Sequence, residues 1–245
     1  GQGPSVGEYV KKYNLGETML KILENKKFTE AVHQSSLALL GHICHFCYSH
    51  VAQFTDRFLV ILDKLLKKDS AGIRNNALWM LVQVTNSYPH EDEKLLQFSD
   101  PLAKVVLSGM QEVDQGTIIQ AVISLTTLGV KHPDKMAPVI LRDDIFPILC
   151  DLLQNQFPRD LEKTTIFKNL CKICQSSLRL IKIDAGINLC VAAAVLDTHD
   201  SGLNQALKQL LRDVRAQLGS NGWTRVNQRL GPQLAITIRK RYKLY

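Results

Sequence analysis

The sequence predicts an all-α protein, a right-handed α-solenoid of HEAT/armadillo-like helix pairs. Three observations carry that prediction. Apolar residues recur at helical spacing along almost the whole chain, no segment alternates with period two between hairpin turns, and helix breakers return at near-regular intervals. Phe58, Leu59, Ile61, Leu62, Leu65 and Leu66 form one apolar stripe. Ile118, Ala121, Val122, Leu125 and Leu128 form a second, and Leu203, Ala206, Leu207, Leu210, Leu211, Val214 and Leu218 a third. Each stripe is one-sided, so each helix needs a neighbour to cover it.

The breakers are Lys67 to Gly72, Ser87 to Glu91, Gly116, His132-Pro133, Phe157-Pro158 and Asp197 to Gly202. They divide the chain into helix pairs whose second members begin near residues 29, 71, 113, 159 and 200. That spacing, about 41 to 46 residues, is the period of HEAT or armadillo repeats. A pair of this length cannot bury its apolar face alone, so successive pairs must share a continuous core. In such an array the first helix of each pair lies outside and the second lines an inner, concave face. The expected organisation is one array over residues 1–245, closed by a basic carboxy-terminal cap over 223–245. The opening Gly1-Gln2-Gly3-Pro4 reads as an expression scar or a cut in a linker.

Of the 245 residues, 45% are hydrophobic and 22% charged, enough apolar material for a folded chain and too much for a disordered one. No window reaches the roughly 18 consecutive apolar residues of a membrane span, and the amino terminus lacks the order of a secretory signal. A soluble intracellular protein is expected. The net charge is +7, but Arg225, Arg229, Arg239, Lys240, Arg241 and Lys243 supply six of those charges, leaving +1 on everything before Trp223. The excess is a basic tail on a nearly neutral body.

Cys44, Cys47, Cys150, Cys171, Cys174 and Cys190 all sit inside apolar segments and read as reduced core residues. Cys44/Cys47 and Cys171/Cys174 have CxxC spacing, and His42, His45 and His50 surround the first pair, which raises a metal site. On a helix, positions 42, 45 and 47 point in different directions, and no metal or other cofactor is expected. No Gly-rich phosphate loop, HExxH or GxSxG occurs, so the protein is not expected to be an enzyme.

The inner helix beginning near residue 71 carries the most informative constellation. Ile73, Ala77, Leu78, Leu81 and Val84 suffice to pack it, which leaves Trp79 over. Asn75, Asn76 and Trp79 share a separate face, because residues three and four apart are helical neighbours. An aromatic ring beside two carboxamides suits an extended peptide: the ring covers an apolar side chain while the amides pair with unsatisfied backbone groups. The competing reading, in which Trp79 packs between repeats and the asparagines face water, stays open on pattern alone.

Val32-His33-Gln34-Ser35-Ser36-Leu37-Ala38-Leu39-Leu40-Gly41, then His50-Val51 and Asn75-Asn76-Ala77-Leu78-Trp79, resemble consecutive repeats near the end of the transportin (karyopherin-β2) family of the importin-β superfamily. Thr117 through Gly129, Lys131-His132-Pro133 with Met136-Ala137-Pro138, Phe167 through Cys174, Leu207 through Leu218 and Asn221-Gly222-Trp223 are similar to the later repeats. The resemblance covers nearly the whole chain. It implies a nuclear import receptor that shuttles between cytoplasm and nucleus, with nucleoporins as partners and Ran GTPase bound by amino-terminal repeats absent here.

It further implies that Trp79 takes the hydrophobic or basic amino-terminal part of a proline-tyrosine nuclear localisation signal, with Asn75 and Asn76 beside it. The family's cargo-contacting asparagine and isoleucine on the next inner helix fall at Gln120 and Ile123. Two positions depart from the pattern: His42 stands where the family carries an acidic residue, and Ala71 where it carries an isoleucine. The first change weakens attraction for basic cargo and the second removes apolar surface. Two other classes remain open, a helical-repeat scaffold without a transport role and a nucleic-acid-binding solenoid that uses the basic tail.

Overall fold

The computed structural model describes residues 5–88, 93–108, 114–155, 160–196 and 200–244. The expectations for Gly1 to Pro4, for the breakers at Pro89 to Glu91, Phe157-Pro158 and Asp197 to His199, and for helix starts at 113 and 159 lie outside those residues. Thirteen α-helices and no strand occur among the described residues. They are α1 (Val6–Lys12), α2 (Leu15–Glu24), α3 (Glu30–Cys47), α4 (Thr55–Leu65), α5 (Ala71–Ser87), α6 (Ser99–Ser108) and α7 (Gln115–Lys131). These are followed by α8 (Pro133–Ile140), α9 (Phe146–Asn155), α10 (Asp160–Ser176), α11 (Ile183–Val195), α12 (Ser201–Leu230) and α13 (Pro232–Tyr242).

The long second helices α3, α5, α7, α10 and α12 thus start at 30, 71, 115, 160 and 201. Four of these starts share one cause. Thr29 Oγ1 accepts from the Val32 N–H at 3.4 Å, Ser70 Oγ from Ile73 at 3.3 Å, Asp114 Oδ1 from Thr117 at 3.0 Å and Asp200 Oδ1 from Leu203 at 2.7 Å. Each bond satisfies an amide that the first helical turn would leave without a partner. The residue that ends one loop is therefore also the one that starts the next long helix.

Contacts divide the chain into two compact units. The first comprises residues 1–89 and 108–120. Here α3 lies along α5, α2 packs on α3, and α4 packs on both α2 and α5. Leu20, Leu37, Leu40, Cys44, Phe58, Leu62, Ala77 and Leu81 are wholly buried between them. Each such leucine or phenylalanine contributes about 1.5–3 kcal/mol of hydrophobic stabilisation. At the rim, Arg57 on α4 reaches Glu17 at 2.6 Å and Glu24 at 2.9 Å on α2. Those pairs are half-exposed, so they orient the helices more than they stabilise them.

The second unit comprises residues 90–107 and 121–245. Within it α9 packs on α11, α11 on α12 and α13, and α10 on α8 and α12. Leu125, Leu128, Leu170, Cys174, Leu207 and Leu211 are wholly buried. The apolar stripe of α12 runs from Leu203 to Val214 and ends at half-buried Leu218. Gly219 then breaks the helix at φ 68°, a left-handed backbone that a side chain disfavours.

The basic tail is partly structural. Arg241 donates to the carbonyls of Ala193, Ala194 and Leu196 at 3.3, 2.9 and 2.8 Å, and the buried Tyr242 hydroxyl donates to Ala193 at 2.8 Å. Those oxygens end α11 and would otherwise lack helical partners. Arg229 pairs with Asp184.

All six cysteines are buried. Desolvation pushes Cys44, Cys171 and Cys190 up to about 12, and drives Cys47, Cys150 and Cys174 upward as well. Protonated thiols at neutral pH behave as small apolar side chains. No group of three or more metal-ligating side chains comes together among the described residues, and no helix among them is long and apolar enough to cross a membrane.

Two outcomes are expected. Tyr242→Phe leaves the Ala193 carbonyl short of a buried donor and destabilises the fold by about 1–2 kcal/mol, read from the urea midpoint. The native thiols react slowly with a chromogenic disulfide reagent and react together once denaturant opens the core, as the raised pKa values require.

Candidate functional site

The site belongs to the first unit and grows out of the close approach of α3 and α5. A Cβ at Gly41 on α3 would lie 2.0 Å from Cζ3 and 2.2 Å from Cε3 of Trp79. No side chain fits there, so the indole rests directly against the α3 backbone. Near the other end of the same pair, a Cβ at Gly72 would lie 2.4 Å from Gln34 Nε2. Gly41 closes the QSSLALLG segment 38 residues before Trp79, and this contact explains why that segment ends on a residue without a side chain.

The indole is held from a second side by His42, edge-on with ring centroids 4.6 Å apart and an interplanar angle of 63°. His42 in turn stacks on Phe46 at 6.4 Å and 8°, and His45 meets the edge of Phe46 at 4.5 Å. His45 Nδ1 donates to the buried Gln83 Oε1 at 2.8 Å, which anchors this group of rings to α5. Phe46 itself is 72% exposed, an apolar ring presented to solvent.

Beside the indole is an open cleft of roughly 400 Å³, lined by Ala38 and His42 from α3, Asn75, Asn76 and Trp79 from α5, and Asp114 and Thr117 from the start of α7. Residues of three successive long helices contribute to it. Trp79 is half-buried, so one part of its ring packs and another faces the cleft. Packing between helices and an open ring face are therefore compatible on one side chain.

The two asparagines are not equivalent. Asn76 Nδ2 donates to the Gly72 carbonyl of its own helix at 2.9 Å. Asn75 lines the same cleft, and among the described residues its carboxamide has no hydrogen-bond partner. It retains both donors and its acceptor for a ligand backbone.

The remaining expected site residues fall elsewhere. Ala71 is exposed at the first position of α5 and does not line the cleft. Gln120 lies further along α7, where its Oε1 accepts from Asn86 Nδ2 at 2.6 Å, so its acceptor is already occupied. Ile123 counts with the second unit, half-buried, its carbonyl accepting from the Thr127 hydroxyl at 2.7 Å.

Asp114 and Thr117 were not foreseen as site residues. Thr117 donates to Asp114 twice, from its N–H at 3.0 Å and its hydroxyl at 2.6 Å. Partial burial pushes the Asp114 carboxyl up, but the Thr117 hydroxyl and the backbone N–H groups of Thr117, Asp114 and Gly116 outweigh it and hold the pKa below the usual carboxylate range. The available signal was the Asp-x-x-Thr spacing one repeat after the Ser70 cap.

Gly41→Ala is expected to push the indole off α3, shifting Trp79 fluorescence and destabilising the first unit by about 1–3 kcal/mol, the usual cost of overpacking, in a urea titration.

No family model matches the chain. Curated relatives do. Transportin of Dictyostelium discoideum is 24% identical over 250 aligned positions, covering 100% of this chain and 25% of that protein. Transportin-1 of Homo sapiens is 25% identical over 231, covering 92% and 24%. Importin subunit beta-2 of Schizosaccharomyces pombe is 25% identical over 148, covering 58% and 15%.

Among solved structures, an engineered protein superposes at TM-score 0.55 with 17% identity, covering 93% of both chains. A designed armadillo repeat protein superposes at 0.53 with 15% identity, covering 94% of this chain and 97% of its own. These likenesses show the fold, an all-α repeat solenoid. The chain spans about a quarter of the length of the first curated relatives it matches. It is thus a transportin-like segment, folded as a stack of HEAT/armadillo-type helix pairs.

Proposed function

We propose that this chain forms part of the cargo-binding arch of a nuclear import receptor and holds an extended nuclear localisation signal of the proline-tyrosine type along its inner helices. The observation that carries the reading is the Trp79 cleft. A large ring is immobilised by Gly41 and His42 while one part of it stays open, next to an Asn75 carboxamide with no partner among the described residues. Pre-positioned aromatic surface costs little entropy on binding, and a free carboxamide suits a peptide backbone that forms no hydrogen bonds of its own.

In this reading Trp79 is the anchor, Asn75 pairs with the peptide main chain, and Asn76 and His42 shape the wall. Gln120, which keeps its amide donors, lies further along α7, and Ala71 and Ile123 stand outside this cleft. The name shared by the relatives supports a receptor that shuttles between cytoplasm and nucleus, with Ran and nucleoporins engaging the longer protein. The nucleic-acid alternative loses support because Arg229 and Arg241, two of the six basic tail residues, are committed to Asp184 and to the end of α11.

The test is a titration of a labelled proline-tyrosine signal peptide against this chain and its Trp79→Ala variant at two salt concentrations. Loss of the anchor is expected to weaken binding by about 1 to 3 kcal/mol, the range of an aromatic hot spot in a largely buried contact. Unchanged affinity removes Trp79 from the site. Oligonucleotide binding that falls steeply with salt would replace the cargo reading with the nucleic-acid one.

A further inference from the structure

We infer that Asp114 is a specificity-determining residue of the Trp79 cleft, selecting a ligand segment whose guanidinium or ammonium group lies over the indole. The inference rests on the peptide-binding reading above and deepens it by naming the side-chain class that the cleft takes.

The first support is placement. Asp114 shares the cleft with Trp79, Asn75 and Thr117, its side chain is exposed, and no other carboxylate or permanent cation lines that space among the described residues. An indole face beside a carboxylate is a two-sided receptor for a planar cation: the ring attracts it through the quadrupole and the carboxylate through charge.

The second support is a comparison between the two aspartate caps of the chain. Capping requires an oxygen and not a charge, and the α3 and α5 caps, Thr29 and Ser70, are neutral. Asp200 caps α12 and has its charge matched by Lys168 at 2.7 Å. Asp114 caps α7 and has no cationic partner among the described residues. Its fixed counter-charge is the end of the helix itself, worth about half an elementary charge, so a substantial negative charge is left facing the cleft. Each of its oxygens accepts one hydrogen bond from Thr117.

Asp114→Asn is the informative variant, because asparagine caps a helix as well as aspartate and removes only the charge. It is titrated, with wild type and Trp79→Ala, against a proline-tyrosine signal peptide carrying arginine at every amino-terminal basic position. The control is the same peptide with isosteric, neutral citrulline at those positions. Asp114→Asn is expected to weaken the arginine peptide about three- to tenfold and the citrulline peptide less than about twofold, as one partly exposed ion pair beside an aromatic ring allows. An unchanged melting temperature shows the cap intact.

Equal weakening of both peptides, or of neither, overturns the inference while leaving Trp79 as anchor if Trp79→Ala still loses affinity. Trp79→Ala without effect on either peptide sinks the underlying peptide-binding reading, and the assignment of Asp114 falls with it.

Discussion

The close approach of α3 and α5 is the contact on which the first unit and its site both depend. Two helices can run this near each other only where one of them offers bare backbone. Gly41 on α3 receives the Trp79 indole, and Gly72 on α5 receives the end of Gln34. Leu37, Leu40 and Ala77 between those points, and Cys44 and Leu81 just beyond, close without exposed surface. Interiors pack at near-crystalline density, so the indole has few alternative positions once these groups are in place. An aromatic anchor that is rigid before the ligand arrives loses little freedom when it binds.

The same interface separates side chains of one type into different uses. Asn75 and Asn76 are adjacent, yet Asn76 spends a donor on its own helix while Asn75 stays available. His42 and His45 lie three residues apart on α3. One braces the indole and the other is tied to Gln83 under an exposed Phe46. Neither histidine meets the thiols of Cys44 and Cys47 in a ligand cluster. Burial keeps those thiols protonated and makes them packing groups.

Capping links the fold to the site. The oxygens that start α3, α5, α7 and α12 are Thr29, Ser70, Asp114 and Asp200, so the period of the repeat is written in its loop ends as well as in its apolar stripes. Asp114 shows how a residue with a local backbone duty brings charge into the cleft beside Trp79. At the other end of the chain, Arg241 and Tyr242 show the converse, with residues that look like a basic surface tail closing the carbonyl end of α11.

The helical class and the helix-pair period were legible in the linear sequence, because helix geometry turns spacing into facing without reference to the rest of the chain; the packing of Trp79 on α3, the burial of Met80 and the partial exposure of Leu78 were not. The approximate starts of α3, α5 and α12 were legible from the breakers between the apolar stripes. What the tertiary structure alone decided was partnership across repeats. That Gly41 lies under Trp79, that Asn86 occupies Gln120, and that Asp114 faces the cleft near His42 are contacts between residues more than thirty positions apart. They depend on how far one helix is rotated and shifted against the next, which side-chain volumes at the whole interface set together and no local spacing encodes.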